Sequence, residues 1–221
     1  MFVTIPKGSF LFGERKVKTK IDNFVICNVP VTQELYEAVM GVNPSKFQGA
    51  KKPVEQVSWF DTQEFLKKLN ELTNKEFRLP TEQEWEYACK TGSTTEYFWG
   101  DNAKEAEDYA WYDKNSKNST HEVGSKKANP WGLYDMIGNV WEWTESWYDG
   151  KKEQKVLRGG SWYGIALSLR SAYRLNRSPS FSGNSVGFRV VSRPFEFPES
   201  YTFESLLDEF RVNNTLEKKS W

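Results

Sequence analysis

Between residues 93 and 155 the chain shows neither a helical nor an alternating hydrophobic period, yet Trp99, Trp111, Trp131, Trp141, Trp143 and Trp147 all lie in it. Irregular stretches of this length are uncommon in compact domains unless they are functional or pinned. Tryptophan pins loops well, because its ring buries a large apolar area and its indole N–H satisfies a loop carbonyl. The chain has 10 Trp in 221 residues and 16% aromatic content. Its mean hydropathy is only −0.70. Aromatic rings rather than aliphatic side chains must therefore carry much of the core.

Regular elements are expected on either side of this region. Residues 2–5 and 24–29 read as strands. Thr32 caps a helix over 33–40 with Leu35, Tyr36, Val39 and Met40 on one face, closed by Gly41. Ser58 caps a second helix to about residue 72, with Phe65, Leu66, Leu69 and Leu72 at helical spacing and Asp61 in its first turn. Thr81 and Glu84 form a capping box for a third helix, with Trp85 and Ala88 inward and Gly92 at its end. Residues 156–161 and 187–192 read as closing strands, the latter near the N-terminal strand. The tail looks extended at 195–198 and helical for a turn or two at 205–210. No repeat or linker divides the chain, so one domain with one core is expected.

Lys+Arg and Asp+Glu stand at 30 each, which gives no net pull toward nucleic acid or an acidic membrane. No apolar run reaches the roughly 18 residues a membrane span needs, so no membrane insertion by this chain is expected. Residues 1–7 do not read as a signal peptide. The protein is therefore expected either to stay inside the cell or to be exported and displayed through a segment or partner outside this chain. Cys27 and Cys89 sit in apolar stretches and read as buried free thiols. The single histidine, His121, excludes a multi-His metal site and reads as a loop hydrogen-bonder.

Three segments carry a family resemblance. They are RLPTEQEWEYA at 78–88, NPWGLYDMIGNVWEW at 129–143, and the set LRGGSW at 157–162, RSAYR at 170–174 and GFRV at 187–190. In order and spacing they resemble the formylglycine-generating-enzyme (sulfatase-modifying factor) family. The resemblance runs over residues 1–194 and leaves 195–221 outside. It implies an α+β fold, a single C-type-lectin-like domain with much irregular loop structure. In the oxidase members that the resemblance invokes, a cysteine pair between the Gly-Gly-Ser and Gly-Phe-Arg segments binds copper and oxidises a substrate cysteine. Residues 161–187 here contain no cysteine, and Ser or Tyr hydroxyls cannot replace a thiolate toward soft copper. The family's iron-dependent carbon–sulfur-bond branch needs several histidines. The expectation is therefore no enzyme and no copper.

What remains is a binding surface. Tyr163, Gly164, Ile165, Ser168, Tyr173, Leu175, Asn176, Arg177, Ser178 and Phe181 follow neither a period of two nor one of 3.6. Aromatic anchors, adaptable polar groups and Arg make a paratope-like mix, with Tyr163, Tyr173, Phe181 and Arg177 as expected hot spots. The segment is similar to that of variable proteins of diversity-generating retroelements, in which Asn codons are rewritten at adenine; an ordinary, undiversified family loop is the alternative. The ligand is expected to be a protein or other macromolecule, reached by a face lying over Trp162, Arg170, Arg174 and Phe188. The resemblance further implies Ca²⁺ at Asn139 and Glu142 side-chain oxygens with the Gly138 and Val140 carbonyls, oxygen ligands that suit this ion. A purely structural role for Asn139 and Glu142 is the other reading. Arg158, Arg170, Arg174 and Arg189 are expected to pair with carboxylates or carbonyls and fix the frame. A formylglycine-type oxidase and a scaffolding or regulatory domain of a larger assembly stand as alternative functions.

Overall fold

The computed structural model describes residues 1–194 together with Ser205 and Asp208. The expected extended and helical pieces of the tail therefore lie outside the described residues, those two positions aside. The chain opens with strand β1 (Phe2–Ile5), a hairpin of β2 (Gly8–Phe12) and β3 (Val17–Ile21), and β4 (Phe24–Cys27). Helices α1 (Gln33–Met40) and α2 (Trp59–Thr73) follow, then β5 (Phe77–Arg78) and α3 (Glu82–Lys90). The loop-rich middle holds a 3₁₀ turn at Ala103–Glu105, a short α4 (Ala106–Tyr109) and strand β6 (Trp141–Trp147). Strand β7 (Lys155–Arg158), a 3₁₀ turn at Ala166–Leu169, β8 (Arg174–Arg177), β9 (Val186–Gly187) and β10 (Val191–Ser192) complete it. This is the α+β, loop-rich architecture expected of a single C-type-lectin-like domain. Among the described residues no helix is long and apolar enough to cross a membrane.

The helix starts follow from their caps. The Ser58 hydroxyl accepts from Asp61 N–H, while the Asp61 carboxylate accepts from Ser58 N–H at 2.7 Å. Thr81 and Glu84 make the same reciprocal pair at the head of α3. Gly41 closes α1 in the left-handed region. At the end of α3 that conformation falls to Thr91, one residue before the expected Gly92. Leu72, expected on the buried stripe of α2, is exposed.

Two sheets organise the molecule, in the orders β1-β4-β10-β5 and β8-β7-β6-β9. The segment expected to be one strand over 187–192 serves both. Val186 and Gly187 pair parallel with β6, and Val191 and Ser192 pair antiparallel with β4 and β5. The buried apolar side chains fall into two clusters rather than the expected one. The clusters are not separate domains, because alternate residues of the first sheet feed each. Cys27 and Phe77 join α1 and α2, whereas Ile26 and Val191 join α3 and the pinned loops. The period of two along a strand sends neighbours to opposite faces. The hairpin β2–β3 and the short helical turns at 103–109 had no clear signal in the sequence, and strand β4 ends at Cys27 rather than at 29.

Candidate binding face

The segment from 159 to 185 leaves β7 through Gly159 and Gly160, both at positive φ. A Cβ at Gly160 would lie 2.8 Å from Leu169 Cδ2, so the turn needs glycine for space as well as for conformation. Trp162 is then fixed from both sides. Its N–H donates to Asn139 O at 2.9 Å, and its indole donates to Asn184 O at 3.0 Å.

On this track the expected ligand residues separate. Tyr163, Ile165, Ser178 and Phe181 are exposed, and Tyr173, Leu175, Asn176 and Arg177 are half-buried. Gly164 and Ser168 are buried, contrary to a place on an open face. The Ser168 hydroxyl donates to Ile165 O at 2.8 Å, and a Cβ at Gly164 would sit 2.6 Å from that hydroxyl. The two residues brace the 3₁₀ turn from inside. Tyr173 and Leu175 lean on the core cluster that contains Trp141. Of the residues expected beneath the face, Phe188 is fully buried and Trp162 is half-buried. Arg174 is instead exposed, and it points to Glu82 on α3. Arg170 bridges Glu14 and Glu96 near the surface, each at 3.3 Å.

Aromatic contacts draw the exposed positions together. Trp162 meets Phe47 edge-on at 5.4 Å and Tyr163 at 5.1 Å. Lys46 and Lys52 lie over the Phe47 ring. Arg177 lies over Phe181 at 5.3 Å. The loop between α1 and α2 joins the two groups, since Gln56 N–H donates to Gly183 O while Phe47 touches Trp162. Pro179 O accepts from Trp59 N–H, which brings the start of α2 and its exposed Phe60 alongside. Phe47, Phe60 and Leu167 were missed in the sequence. Phe60 left a signal, because it falls off the Phe65–Leu69 stripe of its own helix.

Both cysteines are fully buried. Burial pushes the Cys27 thiol up to about 11 and the Cys89 thiol up to about 12. Neither supplies a thiolate at neutral pH. The sequence-expected calcium ligands have other partners. Asn139 Oδ1 accepts from His121 N–H at 3.1 Å, and its amide donates to His121 O and Asp135 Oδ1. Glu142 accepts from Arg189 Nε and Nη2 at 2.7 Å each and from Trp85 Nε1 at 2.7 Å. A hard cation at this pair would have to share Glu142 with a buried guanidinium. Burial raises the nearby Asp135 carboxyl to about 6, against the pull of the Gly124 N–H and Arg189. His121 stacks on Trp111 at 3.7 Å, and its Nε2 lies 2.7 Å from Ser116 O.

Comparison with known proteins adds to this geometry. Residues 1–194 match the model of the family described as the sulfatase-modifying factor enzyme 1-like domain. The chaperone protein LppX of Paenibacillus barcinonensis is 28% identical over 246 residues, covering 86% of this chain and 88% of that protein. The inactive C-alpha-formylglycine-generating enzyme 2 of Bos taurus is 31% identical over 74% of this chain, which spans only 58% of that relative's length. Among solved structures, Treponema denticola variable protein 1 aligns with a TM-score of 0.82 and 32% identity, over 87% of this chain and 95% of that one.

Proposed function

We propose, from the premise that the chain belongs to the sulfatase-modifying factor enzyme 1-like domain family, that it is a non-catalytic member whose 163–181 face binds a macromolecular ligand. One observation carries the reading: the segment between the Gly-Gly-Ser turn and Gly187 has no cysteine and instead presents Tyr163, Ile165, Leu167 and Phe181 to solvent. Exposed aromatic anchors flanked by Arg are the usual energetic centres of interfaces. The relative named as inactive, and the similarity to a protein named as variable, support the reading. On this proposal Asn139 and Glu142 serve the frame, not a calcium ion.

The double substitution Tyr163→Asn, Phe181→Asn tests the proposal. Stability in a denaturant melt should stay within about 1 kcal/mol, as for surface positions. Partners captured by the wild-type protein should be lost from the variant. Unfolding by several kcal/mol instead would mean that the two rings are core, and the proposal would fail. The mixed composition of the face fits retroelement diversification. A near-copy of this segment with Asn codons, beside a reverse-transcriptase gene, is the observation that decides it.

A further inference from the structure

We propose that the free edge of β2 and the groove beside it bind an extended acidic peptide, which adds a strand to the β2–β3 hairpin. Strand β2 pairs with β3 alone, in a register that sets Phe10 opposite Thr19 and Leu11 opposite Lys18. Its other edge is turned to α3. There Leu11 O accepts from Lys90 Nζ at 3.0 Å, and Gly13 N–H donates to Glu86 Oε1 at 2.8 Å. In an antiparallel ladder the N–H and C=O of one residue share an edge, and every second residue shares it with them. Ser9 therefore turns both of its backbone groups the same way as Leu11. Neither these two groups nor the Leu11 N–H has a backbone partner outside the hairpin among the described residues.

A groove of about 310 Å³ runs beside this edge. Phe10, Tyr87 and Trp131 line it, and the Tyr87 ring lies 5.2 Å from each of the other two. Gly8 lets the strand lie against Tyr87, because a Cβ there would come 2.2 Å from the phenol oxygen. The bonds from Lys90 and Glu86 fix the second half of β2 to α3, while the first half stays unpaired on this side. No residue of the 163–181 segment lines the groove, so the site is separate from that face.

Two features choose the occupant. Backbone donors and acceptors repeating at every second residue are matched by another extended polypeptide, and not by a lipid or a nucleic acid. Alternate side chains of the added strand would then enter the aromatic groove. The second feature is charge. Between Gly8 and Ile21 the chain carries Arg15, Lys16, Lys18 and Lys20 against one acid, Glu14, which lies 3.3 Å from Arg170. Lys16 and Lys90 line the groove, and no acidic residue does. Lys90 is held by Glu86, whereas Lys16, Lys18 and Lys20 are exposed and form no ion pair among the described residues. An added strand that alternates apolar with acidic residues satisfies both the groove and these lysines.

Fluorescence anisotropy of the full chain tests the site, with a labelled peptide of alternating Glu and Phe as probe. It should bind saturably, and the Lys-Phe counterpart should not. N-methylation of one alternating set of its residues should weaken binding at least about tenfold, through lost backbone hydrogen bonds, while methylation of the other set changes it less than about twofold. Ser9→Pro removes the open N–H at an edge position that tolerates proline. It should abolish binding with little change in melting temperature. Lys16→Gln with Lys18→Gln, both exposed, should weaken the acidic peptide severalfold and reduce its salt dependence, even if Ser9→Pro does not fold. Tyr163→Asn, Phe181→Asn should leave peptide binding unchanged, so loss of the macromolecular face and loss of this site read separately. No saturation, equal effects of the two methylated sets, or indifference to the lysine substitutions would each overturn the assignment. So would a dimer of the free chain in light scattering that Ser9→Pro abolishes, since a second copy would then hold the edge.

Discussion

Arg189 grips Glu142 through two hydrogen bonds of 2.7 Å, and both side chains are fully buried. The pair joins the segment between β9 and β10 to the longest strand of the loop-rich middle. Breaking one partner of a buried pair leaves an uncompensated charge and typically costs about 3–5 kcal/mol. Glu142→Ala should therefore lower stability by roughly that amount in a urea melt. A loss below about 1 kcal/mol would show that the pair is peripheral to the frame.

The same pair sets the expectation for calcium. A ligand that binds only the native state raises the melting temperature as its concentration passes its dissociation constant. With Glu142 held by Arg189 and Asn139 by the His121 backbone, millimolar Ca²⁺ and EDTA should give the same melting temperature. A clear upward shift in calcium, abolished by Glu142→Gln, would restore the metal reading.

The thiols should be inert. Cys27 and Cys89 are fully buried with raised pKa values, so a bulky maleimide should label neither within minutes in the native state. Both should react once the chain is unfolded in denaturant. Mass spectrometry after quenching reads the two states.

Acid should weaken the head of α3. Burial works against ionisation of Glu84, but the two donors of Arg78 and the Thr81 N–H outweigh it and hold the carboxyl below its usual range. A depressed carboxylate stabilises the fold above its unfolded-state pKa of about 4, and that contribution is lost as pH falls through the folded value. Stability measured from pH 6 down to pH 3 should therefore fall less steeply in Glu84→Gln than in the wild type. Identical slopes would sink the assignment.

Two neighbouring positions of the 163–181 segment should behave oppositely. A Cβ at Gly164 meets Ser168 Oγ at 2.6 Å and Ser161 O at 3.2 Å, so Gly164→Ala should destabilise by about 1–3 kcal/mol through overpacking. Ile165 is 57% exposed. Ile165→Asn should stay within about 1 kcal/mol of wild type. Equal effects at both sites would mean that the turn does not hold the conformation described.

Much of this was legible in the sequence where a local rule acted alone. Ser58, Thr81 and Gly41 announced their helix ends through hydrogen bonds within a few residues. The 163–181 segment stood out because it lacks any period. What failed were features decided across the chain. Arg174 read as scaffold below the face, but its orientation depends on Glu82, and Glu82 had no signal beyond membership of a helix start. Gly164 and Ser168 looked variable because their small side chains suit an exposed loop and a tight turn equally. The division of 186–192 between two sheets depends on partners at 24–27, 77–78 and 141–142, which no short window contains.

That division bears on how the molecule is made. Strand β10 lies between β4 and β5, so the first sheet lacks one of its two interior strands until residue 192 has been synthesised. During translation, β4 and β5 wait with unsatisfied edges while more than half of the chain emerges behind them. Such edges invite pairing with other nascent chains. The chain completes its first sheet with one of its last described strands, and ribosome-stalled chains cut before Val186 should be aggregation-prone where chains extended past Ser192 are not.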